Sequence, residues 1–249
     1  MVLLVYTVQV NQDFLSVWLG ACAMISRRAF ICACFSCLTV GSAVAQYRSI
    51  ACSLSASASA GGRMFATSGD RQLDRALIAE LRKVCRVFGI NPGFQYLDDS
   101  SSPNAYATTD TYISNTKGTV LFGLGLVNSE IVNRYGGAAV AGIAAHEGSH
   151  IFQFYSTFLP KLQSGSTARP VELHADYLAG YYFKMTGRTE KSIESFGASL
   201  RRMGDFDFSN PSHHGTPDER VRAMLGGYKA GEDGLDRDQA SDRGIDYVT

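Results

Sequence analysis

The sequence predicts an α+β domain, mostly helical, with a small mixed sheet packed on one central buried helix. Three observations carry this. Residues 138–145 are a dense apolar run inside a helical segment spanning 137–157, the pattern of a helix buried all round. Over 70–88, Leu73, Leu77, Leu81, Val84 and Phe88 recur at three- and four-residue steps, one face of an amphipathic helix that Gly89 stops. Residues 93–98 and 106–123 alternate and are rich in Tyr, Thr, Val and Phe, so they read as two or three short strands around turn residues.

The remaining elements follow in order. Residues 127–134 read as a short helix. Pro160, Gly165, Ser166 and Pro170 make 158–169 a loop, and 170–186 and 189–203 read as two further helices. After a turn at 209–215, Thr216 is placed to cap a new helix. Pro217 suits its first position and Glu219 closes a capping box. The segment 231–249 is polar and reads as a frayed tail.

With 249 residues, the chain has room for one domain plus processing segments. The 23 basic and 23 acidic residues balance, and no basic run tracks a phosphate backbone, which argues against a nucleic-acid partner. The N-terminus differs from the rest. Ser26-Arg27-Arg28-Ala29-Phe30 precedes an uncharged stretch over 31–44 that ends Ala43-Val44-Ala45. A basic start, a short apolar run and an A-x-A site have the layout of an export signal, and the arginine pair resembles a twin-arginine motif. The competing reading is an N-terminal membrane anchor, for which the apolar part is short. The expected organisation is a leader over 1–45, a flexible lead-in over 46–67, a folded domain over 68–230 and the tail. Within the leader, 1–23 are consistent with a mis-assigned start upstream of Met24. An exported chain would be periplasmic or secreted and would carry no stable membrane span once mature. Four cysteines fall in the leader. Cys52 and Cys85 remain, either as a disulfide in an oxidising compartment or with Cys85 as a plain buried thiol.

Chemistry concentrates in the buried helix. His146-Glu147-Gly148-Ser149-His150 is an H-E-x-x-H motif. Residues four apart on a helix share a face, so both imidazoles reach one metal ion, with the Glu147 carboxylate beside them as a base for a water. Surface histidines on an amphipathic helix are the alternative, but here the motif interrupts an apolar run, where bare polar groups are costly. A catalytic zinc needs a third protein ligand and an open position. Glu172 and Asp176 lie four apart in the next helix, 22 residues past His150. One carboxylate can bind metal while the other orients a ligand imidazole. Geometry favours a carboxylate of this pair, Glu172, over His174. His174 is a rival ligand by chemistry, but it lies two residues from each carboxylate and so faces elsewhere. His214 and Arg220, in a polar cluster at a helix start, are candidate donors to a developing oxyanion. Read alone, they would be an exposed turn histidine and a surface charge.

Together these motifs resemble the gluzincin zinc metallopeptidases, most closely the HtpX-like and CAAX prenyl protease-type family and its small soluble periplasmic members. Pro103-Asn104-Ala105-Tyr106-Ala107 is similar to the family's Pro-Asn-Ala-Phe-Ala segment, and 118–126 to the following strand, the edge on which substrate backbone lies. Glu172-x-x-Ala175-Asp176 is similar to its Glu-x-x-Ala-Asp motif, and His214 with Arg220 to its late His-Pro-(x)4-Arg element. Gly148, His174 and Gly215 depart from the pattern without removing a ligand. A second resemblance, to putative neutral zinc metallopeptidases, gives the same ligands. The resemblance implies a zincin-like fold, a Zn2+ cofactor held by His146, His150 and Glu172, and catalysis by Glu147 with His214 and Arg220. The implied activity is endopeptidase action on exported or envelope proteins. Other readings are a zinc-binding pseudoenzyme serving as a periplasmic chaperone or assembly factor, a zinc hydrolase of non-peptide amides, and a metal-free helical binding domain.

Overall fold

The computed structural model describes residues 63–100, 103–132 and 136–249. The leader, Cys52 and most of the lead-in lie outside them. The fold is α+β, mostly helical, with one four-stranded mixed sheet.

Helix α1 (Arg71–Phe88) starts at Asp70, whose carboxylate accepts from the amides of Gln72 and Leu73 at 2.8 and 3.2 Å. It ends at Gly89, which adopts φ 65°, a left-handed cap that glycine enters without strain. The strands are β1 (Met64–Phe65), β2 (Gly93–Leu97), β3 (Ala105–Thr108) and β4 (Thr119–Gly123), in the order β1-β2-β4-β3. β1 belongs to the stretch that composition reads as flexible lead-in, and it pairs antiparallel to β2. β2 and β4 are parallel, and β3 and β4 antiparallel, with Phe94 opposite Val120 and Tyr106 opposite Leu121.

The resemblance puts the substrate edge at 118–126, and the structure corrects this. β4 is flanked by β2 and β3 and is buried along its whole length; the sheet's edges are β1 and β3, and β3 is the one beside β4. A strand buried on both faces reads as a continuous apolar run, so pattern alone cannot tell it from an edge.

β4 runs straight into α2 (Leu124–Val132). The buried Asp99 carboxylate accepts from the amides of Gly125 and Leu126 at 2.6 and 2.9 Å, and so caps α2. The same carboxylate takes the Asn104 amide at 3.0 Å, which fastens the start of β3.

The central helix α3 (Gly136–Phe154) is buried from Ala139 through Ile151 and packs against α1, β3, α5 (Arg169–Met185) and α6 (Glu190–Met203). A Cβ at Gly148 would lie 2.3 Å from Val84 Cγ1, so the glycine lets α1 cross tightly beneath the motif. The expected loop at 158–169 holds one turn of helix, α4 (Leu159–Leu162). Helix α7 (Pro217–Glu232) opens with the expected Thr216–Glu219 capping box.

α5 and α7 touch backbone to backbone. A Cβ at Gly180 would meet the Met224 carbonyl oxygen at 1.8 Å, and one at Gly227 would meet that of Tyr177 at 1.6 Å. This approach brings the start of α7 over the first turns of α5.

The frayed tail is the clearest correction. Arg237–Val248 form a helix, α8, with Asp236 and Gln239 closing a capping box. Ala240, Ser241, Gly244, Ile245 and Val248 make a buried stripe against α5 and α7. The charges of Arg237, Asp238, Asp242, Arg243 and Asp246 surround this stripe and hide it in a composition reading. No described helix is long and apolar enough to cross a membrane. Cys85 is disulfide-bonded, and every other cysteine of the chain lies outside the described residues.

Candidate metal centre

α3 and α5 bring three donor groups to one point. His146 Nε2 and His150 Nε2 lie 3.0 Å apart. Glu172 Oε2 is 3.3 Å from the first, and Glu172 Oε1 is 3.4 Å from the second. Ligand atoms of all three residues fall within 4.8 Å of one another. The one-turn spacing of the histidines puts both rings on one face of α3, and Glu172 faces them from the first turn of α5.

The far nitrogen of each imidazole is fixed. His146 Nδ1 is 2.8 Å from Asp176 Oδ1. Asp176 is wholly buried, and Arg220 grips it through Nε to Oδ2 at 2.7 Å and Nη2 to Oδ1 at 3.0 Å. Arg220 Nη1 donates to the Met203 carbonyl at 3.4 Å. His150 Nδ1 is 2.7 Å from Gln153 Oε1. Both Nε2 atoms therefore turn inward, toward Glu172.

Burial and neighbouring charge set the protonation of this cluster. Burial alone would push His146 down, but the Asp176 and Glu172 carboxylates outweigh it and hold it up at about 10. Burial pushes His150 down to about 4, against the pull of Glu172. Burial would raise Glu172 and Asp176. The two histidines hold Glu172 well below the usual carboxylate range, and Arg220 with His146 lowers Asp176. Burial pushes Glu147 up to about 7, with Glu172 adding to the rise and His146 opposing it. A carboxyl poised near neutrality suits a general base.

The cluster opens into a cavity of about 810 Å³. Its walls include Asn104–Ala107 of the edge strand, Glu147, Phe196 and Leu200 of α6, and His214. His214 is held through its backbone amide, which donates to Asp205 Oδ2 at 3.1 Å, while Asp205 Oδ1 takes His213 Nδ1 at 2.5 Å.

Every candidate named from the sequence except His174 thus reaches this site. His146, His150 and Glu172 converge, Asp176 orients His146, and Glu147 and His214 face the cavity. Arg220 also borders the cavity, but its guanidinium is turned onto Asp176. His174, the rival ligand, is buried away from the donors, with Nδ1 2.9 Å from Gln153 Nε2 and Nε2 3.1 Å from the Ser241 carbonyl. Gln153 is the residue that sequence reasoning misses. The signal was present, since Gln153 lies three residues past His150 on the same helix face. Comparisons with protein-family models, curated proteins and solved structures returned no match.

Proposed function

We propose that this chain is a zinc-dependent endopeptidase of zincin-like fold, with His146, His150 and Glu172 as metal ligands and Glu147 as general base. One observation carries the reading: two imidazole Nε2 atoms and a carboxylate meet at 3.0–3.4 Å with both Nδ1 atoms already engaged. Lone pairs facing one another so closely need a cation or a proton between them. A tetrahedral ion with ligands at about 2.0–2.1 Å spaces them roughly 3.3 Å apart, which fits these separations. Two histidines and one glutamate are a catalytic zinc donor set, with a fourth position left for water or substrate.

A zinc ion in this site supplies Lewis acidity to a scissile carbonyl and lowers the pKa of a water toward neutrality. Glu147 takes the proton of the attacking water and returns it to the leaving amine. His214 donates to the oxyanion as charge develops on it. Arg220 acts through Asp176, which it holds in place to keep the His146 proton on Nδ1. Peptide substrates are favoured because β3, which pairs on one side only among the described residues, runs along the cavity wall. An extended chain can hydrogen-bond to such an edge. The signal-like leader points to an exported protein, and hence to substrates among exported or envelope proteins.

Glu147→Gln keeps the shape and the metal ligands but removes the base. Peptide hydrolysis falls by at least about 10²–10⁴-fold while zinc content stays at the parent level. Full activity in that variant would refute the mechanism.

A further inference from the structure

The metal ligand His150 sits at the end of a buried row of polar groups that reaches the C-terminal helix, and every proton along that row is fixed by two backbone carbonyls. A carbonyl oxygen only accepts. Gln153 Nε2 is 2.8 Å from the Val171 carbonyl, so the nitrogen end of the amide is the end that points there. The amide oxygen consequently faces His150 Nδ1 at 2.7 Å, and that nitrogen carries the hydrogen. From the other end, His174 Nε2 lies 3.1 Å from the Ser241 carbonyl and carries its hydrogen. His174 Nδ1 is left as an acceptor, 2.9 Å from the second hydrogen of Gln153 Nε2. The two derivations start from α5 and α8 and agree at Gln153.

The row is closely packed as well as hydrogen-bonded. Gln153 and His174 have no solvent exposure, and the Phe158 ring stands edge-on to His174 at 5.4 Å. α8 lies against His174 at Gly244, where a Cβ would come within 2.9 Å of both His174 Cδ2 and Tyr177 Cδ1. Any larger residue there moves the helix or the imidazole.

We propose that α8 is part of the metal centre's support: through Ser241 O, His174 and Gln153 it holds His150 in the one tautomer that turns a bare Nε2 toward Glu172 and His146. His174 and Gln153 are then positioning residues. With its hydrogen on Nε2, His150 would point a donor into the ligand cluster and bind no cation. This inference rests on the metal-site reading above and extends it to the last helix of the chain.

The test uses the full chain, zinc affinity by chelator competition, and the visible spectrum of the Co2+-loaded protein, which reports ligand orientation independently of activity. Gln153→Leu and His174→Leu weaken zinc binding about 10- to 100-fold and shift the cobalt bands, with helix content as in the parent. His174→Gln, whose amide both donates and accepts, recovers a substantial part of the loss. Gly244→Ala, which touches no ligand, weakens binding in the same direction. If His174→Leu fails to fold, Gln153→Leu and Gly244→Ala carry the test. Folded Gln153→Leu and Gly244→Ala variants with parental affinity and cobalt spectrum overturn the proposal alone. A parent that takes up no zinc overturns the metal-site reading and this inference with it.

Discussion

The two histidines of the proposed metal site are held by opposite kinds of chemistry. His146 is held by charge: Asp176 takes its Nδ1 hydrogen, and Arg220 from α7 clamps Asp176 with two hydrogen bonds. His150 is held by neutral groups, through Gln153 and His174 to a carbonyl of α8. A carboxylate behind an imidazole raises its basicity and, without a cation, loads it with a proton. An amide oxygen orients the ring but leaves it neutral. The contrast appears in the two pKa shifts, His146 up to about 10 and His150 down to about 4. One imidazole is strongly basic and the other neutral, and the supports of both end in the C-terminal third of the chain.

The largest expected difference lies in stability. Arg220→Met strands the Asp176 carboxylate in the interior and lowers unfolding free energy by about 3–5 kcal/mol in urea titrations. On the neutral side, His174→Leu leaves only uncharged partners unsatisfied and lowers it by about 1–3 kcal/mol. Equal losses would break the comparison.

Proton release sharpens it. Between about pH 7 and about pH 10, His146 carries a proton in the cation-free protein and His150 does not. Zinc loading in that window expels at least about one proton per ion, measurable by calorimetry in buffers of different ionisation enthalpy. Release of no proton would mean that His146 is uncharged in the cation-free protein.

The acid limb of peptide hydrolysis is a smaller effect. In the proposed mechanism Glu147 works as its carboxylate, and burial raises its pKa, so activity is lost as pH falls through that value. The limb lies at or below about pH 7, because a bound cation favours the ionised form. An acid limb unchanged in a residually active Glu147→Asp variant would assign it to another group. Ser241→Ala, which removes a buried hydroxyl 3.4 Å from His174 Nε2 but keeps the carbonyl, lowers stability by about 0.5–1.5 kcal/mol.

The same contrast explains what the sequence made legible. The charged support is short-range in pattern: Glu172 and Asp176 sit one turn apart on α5, and Arg220 follows a readable capping box. The neutral support has one local member, Gln153, one turn from His150, and two distant ones. His174 looks misplaced beside its carboxylate neighbours until α8 is known to cover it. α8 itself is concealed because its buried stripe is made largely of small residues, Ala240, Ser241 and Gly244, set among charges. Apolar periodicity finds helices that bury large side chains, such as α1, and misses those whose role is close approach. Similarly, β1 has only two residues, and the burial of β4 on both faces hid which strand forms the edge.

The central claim is that His146, His150 and Glu172 hold a zinc ion, and metal content of the purified chain beside its Glu172→Ala variant tests it most directly. The account predicts about one zinc per parent chain and a large loss in the variant, with helix content retained. A parent that stays free of zinc after reloading, or a Glu172→Ala variant that keeps the full complement, would contradict it.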